Sequence, residues 1–320
     1  MKGIIAQYPV FAKLFIFIGV ILLVGIAFQY VALLITNVIF PGADLLNLFN
    51  SFDTIKSADE LSGTQKNAMK CYQLFASLGQ YILAPLFFVH LCGDNFFSAT
   101  GMKKSVPVVL FILVFFIFFS SIGVIGYINE LNQNIKLPSF LSDVESAMRK
   151  MEEQAKIQTD AFLSATSVSG LIANILIIAI LAAVGEEIVF RGLLQSMLYK
   201  LTKNVHVAVW SAAFLFSFMH LQFFGFFPRL ILGAVLGYLF AWSGSLWTSI
   251  LGHFINNFLG VIAYFMVNKN IIDENVTEEA SWQIALFSLP FFIFFLFLYK
   301  RATETYRDGK RLDDDLFNRK

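Results

Sequence analysis

Gly185-Glu186-Glu187-Ile188-Val189-Phe190-Arg191 brings three ionisable side chains to the end of a long stretch of residues that carry no charge. Each ionised group inside a bilayer costs about 2.5–3.5 kcal/mol, so such groups are retained when they pair or serve a function. Glu187 and Arg191 are four residues apart, share one face of a helix and can pair. Glu186 points about 100° away from Glu187 on the same helix. The spacing therefore leaves one carboxylate for another task.

The composition around this stretch indicates a membrane protein. Of 320 residues, 58% are hydrophobic and only 14% are charged, whereas a soluble domain carries about a quarter charged residues. Several runs lack Asp, Glu, Lys and Arg and reach the length of about 20 residues that spans a bilayer. These runs are 14–43, 71–93, 105–129, 161–185, 204–228, 230–268 and 280–299.

The run 230–268 is long enough for two spans, and Trp242-Ser243-Gly244-Ser245 provides a turn signal near its middle. The sequence therefore predicts an all-α, polytopic transmembrane helix bundle of about eight spans, the sixth of them short. We expect three regions: an N-terminal membrane region with three spans (1–160), a catalytic membrane core (161–268), and a last span with a basic cytoplasmic tail (269–320).

Basic residues alternate with the predicted spans, and such residues collect in cytoplasmic loops. One set of segments contains Lys2, Lys13, Lys103, Lys104, Lys200, Lys203, Lys300, Arg301, Arg307, Lys310 and Arg311. The other set, 44–70, 129–160 and 269–279, is mixed or acidic. We therefore expect an integral protein of the plasma (inner) membrane with both termini in the cytoplasm. The net charge of +1 argues against a nucleic-acid partner.

Two histidines, His220 and His253, lie inside uncharged runs, where such residues usually face the interior of the bundle. His253 and Asn257 are one helical turn apart and can point into one cavity. A carboxylate such as Glu186 can accept a proton from water and return it to a leaving amine. Histidine and asparagine can donate hydrogen bonds to the oxyanion of an attacked carbonyl. Structural hydrogen bonding between helices is the alternative for His253 and Asn257.

The set Glu186-Glu187-x-x-x-Arg191, Phe216-x-x-x-His220 and His253-x-x-x-Asn257 resembles the CPBP family. This family comprises CaaX prenyl endopeptidases of type II and bacteriocin-processing and immunity-related membrane proteases. The resemblance covers about 170–262 and implies an eight-helix bundle with a cavity open to the cytoplasm. It also implies that Glu186 activates water, that His220, His253 and Asn257 surround the attacked carbonyl, and that Glu187 and Arg191 support the site. The expected partners are the lipid bilayer and a membrane-associated peptide or protein substrate.

Metal use is the open point of this mechanism, because Glu186, His220 and His253 would also suit a catalytic zinc. We favour no metal and no cofactor. Zinc-binding histidines usually have an outer carboxylate or carbonyl partner, and the sequence assigns Glu187 to Arg191. A helix C-terminus near Glu186 would also favour the protonated carboxyl group. The competing functions are a non-catalytic scaffold or bacteriocin-immunity protein of the same fold, and an ion or proton carrier, for which no internal repeat is found.

Overall fold

The structure is a computed structural model that describes residues 2–273 and 281–317, with side chains described up to residue 308. Residues 274–279 of the expected outer segment 269–279 lie outside the described residues, as do the side chains of Lys310 and Arg311 in the tail. The main helices are α1 (Val10–Ile39), α2 (Gly63–Cys92), α3 (Val108–Gln133), α4 (Ser142–Leu163), α5 (Val168–Thr202), α6 (Val205–Phe218), α7 (Phe226–Ser243), α8 (Leu246–Asn268) and α9 (Trp282–Phe317).

The connections contain only short helical pieces. These are the α-helices Leu45–Asn50 and Phe96–Ala99 and the 3-10 turns Phe52–Thr54, Ala58–Glu60, Ser139–Leu141 and Phe223–Gly225. No β-strand occurs in the described part of the chain. Among the described residues, 7 helices are long and apolar enough to cross a membrane, and α6 is a shorter apolar helix. The predicted all-α, polytopic membrane bundle is therefore confirmed, and the chain is an integral membrane protein.

The short helix of the bundle is the fifth apolar helix, and not the sixth as the sequence predicted. Helix α6 ends at Phe218, and Leu221 turns the chain with a left-handed φ of 53°. Helix α7 then begins at Phe226 and has 18 residues. The prediction placed the boundary at Arg229, because it divided the sequence at charged residues, whereas Arg229 lies in the first turn of α7.

The connections gather at two ends of the bundle. At one end, Ser245 Oγ donates to Lys104 O at 2.6 Å and Trp247 Nε1 donates to Met102 O at 2.9 Å. At the other end, Asn268 Nδ2 donates to the carbonyl of Leu163, the last residue of α4, at 2.8 Å. We call these the basic end and the α4 end. The same division of loops was expected from the charge pattern.

Helix α5 carries the acidic pair and is continuous from Val168 to Thr202. Wide π-helical segments, Ile175–Leu181 and Ile188–Gln195, lie on either side of Ala182–Glu187. The expectation that the acidic pair lies near a helix end is therefore wrong, since Glu186 is roughly midway along α5. The helix dipole is largely confined to the terminal turns, so it does not act on this carboxylate.

Gly185 allows α5 to approach α2 closely at the level of the acidic pair. A Cβ atom at this position would lie 2.6 Å from Cβ of Tyr81. Any side chain at position 185 would therefore push the acidic pair away from α2.

Candidate active site

A cavity of about 300 Å³ lies between α3, α5, α6, α7 and α8, and all four residues that were predicted to be catalytic line it. Its lining residues are Glu186, His220, Arg229, His253, Asn256 and Asn257 together with the apolar Phe118, Ile178, Ala182, Phe216, Leu232 and Leu236. The supporting residues Glu187 and Arg191 are outside this lining. The structure thus brings the three sequence motifs together around one space.

The pairing of Glu187 with Arg191 was predicted from their spacing and is confirmed. Arg191 Nη1 donates to Glu187 Oε1 at 2.6 Å, and both side chains are fully buried. Arg191 Nη2 also donates to the carbonyl of Gly233 on α7 at 3.1 Å. The guanidinium lies 4.6 Å from the centre of the Phe216 ring. The pair therefore ties α5 to α6 and α7 directly behind the cavity.

His253 lies between the two carboxylates. Its Nδ1 is 2.8 Å from Glu187 Oε1, and its Nε2 is 3.7 Å from Glu186 Oε2. The sequence argument that Arg191 alone occupies Glu187 is therefore wrong, because one oxygen of Glu187 accepts from both Arg191 and His253. The side chain of Glu186 is 16% exposed and that of His253 is 7% exposed, so Glu186 is the carboxylate that solvent in the cavity can reach.

His220 follows α6 in a turn, and not within a span as the sequence predicted. Its Nδ1 is 2.8 Å from the carbonyl oxygen of Phe216, one turn earlier. The ring of Phe216 contacts both histidines edge-on, with centroid distances of 5.0 Å to His220 and 5.9 Å to His253. Phe216 is thus the common support of the two imidazoles.

The hydrogen-bond partners fix which ring nitrogens carry protons. A carbonyl and an ionised carboxylate can only accept, so Nδ1 of His220 and of His253 must carry the hydrogen. In a neutral imidazole, Nε2 then has a lone pair. The expected role of oxyanion donor is therefore open to each histidine only when it is protonated on both nitrogens.

Asn257 keeps one amide hydrogen for a ligand. Its Nδ2 donates to the carbonyl of Ile178 on α5 at 3.0 Å, and its Oδ1 accepts from Asn256 Nδ2 at 3.2 Å. An amide nitrogen carries two hydrogens, which leaves the second one of Asn257 for an acceptor in the cavity.

The histidines have the outer partners that zinc ligands usually have. Those partners are a carboxylate for His253 and a carbonyl for His220, so the first sequence argument against zinc does not hold. The helix end that was expected to raise the proton affinity of Glu186 is also absent at this position. However, among residues 2–273 and 281–317 no three His, Cys, Asp or Glu side chains form a group that could hold a metal ion. The donor chemistry thus fits zinc, and the arrangement of the three donors does not.

The cavity extends from the level of Glu186 toward the α4 end of the bundle. His220 and Asn256 are its exposed lining residues, and Arg229 lies in the first turn of α7. Toward the basic end, Ile188, Leu246 and Ile250 form a buried apolar cluster. This differs from the expectation of a site that opens beside the basic loops. The exposed lining residues thus lie on the side of the cavity away from the basic loops.

The sequence analysis missed Arg229, which lines the cavity, and two polar residues behind it, Gln222 and Glu152, which line an outer cavity. Arg229 Nη2 donates to Gln222 Oε1 at 2.8 Å, and Gln222 Nε2 donates to Glu152 Oε1 of α4 at 3.3 Å. Glu152 Oε2 also accepts from the backbone N–H of Phe224 at 3.3 Å. The available signal was Arg229 itself, which is the single charged residue between the uncharged runs 204–228 and 230–268.

Comparisons with known proteins agree with the motif-based resemblance. Residues 168–259 match the family described as Type II CAAX prenyl endopeptidase Rce1-like. The uncharacterized protein YpbD of Bacillus subtilis (strain 168) is 28% identical over 114 residues, which cover 34% of this chain and 56% of that protein. The match thus spans about half of the length of that relative. No solved structure matches this chain.

Proposed function

From the Rce1-like segment 168–259 within an integral membrane bundle, we propose that this chain is an intramembrane endopeptidase that hydrolyses a peptide bond of membrane-associated substrates. The observation that carries this proposal is the position of Glu186. It is a partly exposed carboxylate at mid-depth in α5, and it lies in one cavity with two histidines and an asparagine.

The first step is activation of water by Glu186. A water molecule within hydrogen-bond distance of both Glu186 Oε2 and His253 Nε2, which are 3.7 Å apart, donates one hydrogen to each. Glu186 removes the proton as the water oxygen attacks the carbonyl carbon, and later delivers it to the leaving amine. Glu187 holds His253 in the tautomer that accepts from this water.

Stabilisation of the oxyanion falls to Asn257 and to a protonated histidine. The free amide hydrogen of Asn257 can donate to the oxyanion. Once the second hydrogen of the attacking water passes to His253 Nε2, this imidazole becomes a second donor. Burial of Glu187 and Arg191 keeps this arrangement rigid, as a site for transition-state binding requires.

The proposal requires no metal, because Glu186 itself acts as the base. If zinc were bound, Glu186, His220 and His253 would hold it, and the ion would supply Lewis-acid activation of water. We propose residues 161–268 as the catalytic core, and residues 1–160 and 269–320 as regions that surround it. The plasma membrane is the proposed location, with both termini in the cytoplasm.

The decisive experiment compares membrane peptides in cells that carry the native chain or Glu186→Gln. An amide cannot act as a base, so the variant should accumulate uncleaved precursors and lose at least about 100-fold in cleavage rate. Glu153→Gln, on the exposed helix α4, serves as the charge-matched control and should cleave normally. If Glu186→Gln cleaves at the native rate, the chain is better explained as a non-catalytic scaffold or immunity protein.

A further inference from the structure

Among the described residues that line the catalytic cavity, Arg229 is the one arginine, and no lysine is present. It lies on the same face of α7 as Leu232 and Leu236, which also line the cavity. Gly233, one turn from Arg229, accepts a hydrogen bond from Arg191. Arg229 is therefore about 6 Å along α7 from the level of the Glu187–Arg191 pair, toward the α4 end.

The guanidinium of Arg229 has hydrogen-bond capacity to spare. Its Nη1 donates to Gln222 O at 3.3 Å and its Nη2 donates to Gln222 Oε1 at 2.8 Å. A guanidinium has five N–H donors, and three of these find no acceptor among the described residues. Nor does Arg229 form an ion pair with a carboxylate of the described residues. The nearby Glu152 accepts instead from Gln222 and from the backbone of Phe224.

The N-terminus of α7 adds to the positive potential at this point, and the carboxylate of Glu152 opposes it. Helix α7 has no acidic residue in its first turn, and its N-cap residue Gly225 has no side chain, although the N–H of Phe227 donates to Asn132 Oδ1 at 2.9 Å. The N-terminus of a helix carries partial positive charge, so Arg229 is a cation at a position that favours an anion. A guanidinium in an otherwise largely apolar cavity wall binds carboxylates through two parallel hydrogen bonds.

We propose that Arg229 is a specificity-determining residue that binds a carboxylate of the substrate near the scissile bond. This inference rests on the proposed endopeptidase function. The carboxylate belongs to the C-terminus of the substrate or to an Asp or Glu side chain. At about 3.3 Å per extended residue, the separation of about 6 Å along α7 is covered by about two residues. Gln222 and Glu152 act as positioning residues, because Gln222 accepts from the guanidinium and is itself bound to Glu152 of α4.

Binding to a cleavage-deficient variant tests this inference apart from catalysis. The full chain with Glu186→Gln is purified in a neutral detergent, and the affinity of a dye-labelled Val-Leu-Ala tripeptide is measured by fluorescence polarisation. Three probes are compared: the free carboxylate, its C-terminal amide, and the amide of Val-Leu-Asp. The carboxylate should bind at least about tenfold more tightly than the amide, as charge-assisted hydrogen bonds do. Tight binding of the Val-Leu-Asp amide would show that a side-chain carboxylate can replace the C-terminal carboxylate.

Variants separate recognition from structure. Added to Glu186→Gln, Arg229→Gln should remove the preference for the carboxylate, and Arg229→Lys should keep part of it. Gly225→Ala keeps the arginine residue, but the added Cβ atom would collide with Nη2 of Arg229 and displace the guanidinium. This variant should therefore reduce the preference for the carboxylate as well. Arg149→Gln is the matched control, because Arg149 stacks 4.2 Å from the Phe224 ring outside the catalytic cavity and pairs with Glu145. This control should retain the full preference.

Equal affinities for all three probes in the parent, or a preference that survives Arg229→Gln, would overturn the role of Arg229. Either result leaves the endopeptidase proposal intact, because that proposal is judged by the Glu186-dependent cleavage in cells. Conversely, a preference for carboxylates without any Glu186-dependent cleavage would support a binding function of the same cavity.

Discussion

Nδ1 of His253 lies 2.8 Å from the Glu187 oxygen that Arg191 also contacts. The second carboxylate of the motif is therefore an orienting group for the imidazole as well as one partner of a buried ion pair. Its other oxygen, Oε2, has no hydrogen-bond partner among the described residues. One carboxylate oxygen thus connects the position of His253 in α8 to the packing of α5 against α7.

Glu187→Leu should destabilise the protein because it leaves the buried Arg191 without its counter-charge. Loss of one partner of a buried pair costs about 3–5 kcal/mol, which should appear in denaturation of the purified protein in detergent. The double variant Glu187→Leu/Arg191→Leu should recover most of this stability. Its activity should remain at least about 100-fold below native, because His253 has lost its orienting carboxylate. Recovery of activity in the double variant would contradict the orienting role.

Glu152→Ala should lower cleavage by about tenfold while leaving the fold intact. The carboxylate accepts from Gln222 Nε2 and Phe224 N, and its removal costs about 1–3 kcal/mol per hydrogen-bond donor left unpaired. The loop that carries His220 should then lose its fixed position. Glu153→Ala is the matched control, since Glu153 is the exposed neighbour of Glu152 on α4 and makes no hydrogen bond to this loop. Equal rates for both variants would show that α4 does not position the loop.

Cysteine labelling should locate the two ends of the bundle relative to the membrane. The basic loops predict that Lys103→Cys is labelled only from the cytoplasm, and that Glu153→Cys, on α4, is labelled from outside intact cells. The native Cys71 and Cys92 are replaced in the background protein. Labelling in the reverse pattern would place the α4 end, and with it the rim of the cavity, in the cytoplasm, as the family resemblance implied.

Chelation should leave the activity of the purified protein unchanged. Glu186 acts as the base in the proposed mechanism, and its arrangement with His220 and His253 is not one of metal ligands in the described residues. The protein is stripped with a chelator, checked by elemental analysis and assayed. A loss of activity that stoichiometric zinc restores would assign Glu186, His220 and His253 as ligands.

Much of the helical architecture could be predicted because desolvation of charged groups is severe in a bilayer. The uncharged runs identify eight apolar helices, and helical spacing correctly pairs Glu187 with Arg191. Charge alone does not set helix ends, however. The boundary between α6 and α7 lies at the turn around Leu221, and not at Arg229 as predicted, because Arg229 lies within the first turn of α7.

Contacts between distant segments were outside the reach of sequence spacing. Glu187 and His253 are 66 residues apart in sequence, and Glu152 and Gln222 are 70 apart. Both contacts depend on how α4, α5 and α8 pack, which hydrophobic patterning does not determine. The missed contact matters most for the argument against zinc. That argument assumed that Glu187 could bind only Arg191, whereas it also accepts from His253.

The shortness of α6 makes the surrounding lipid part of the environment of the site. With 14 residues, this helix is about 21 Å long, whereas the hydrocarbon layer of a typical bilayer is about 30 Å thick. Local thinning of the layer beside α6 would match the two lengths, at a cost that rises with each ångström of mismatch. The turn after Phe218 then meets headgroups and water at a depth where a full-length span would meet acyl chains. Longer acyl chains therefore oppose hydration of His220, and shorter ones favour it.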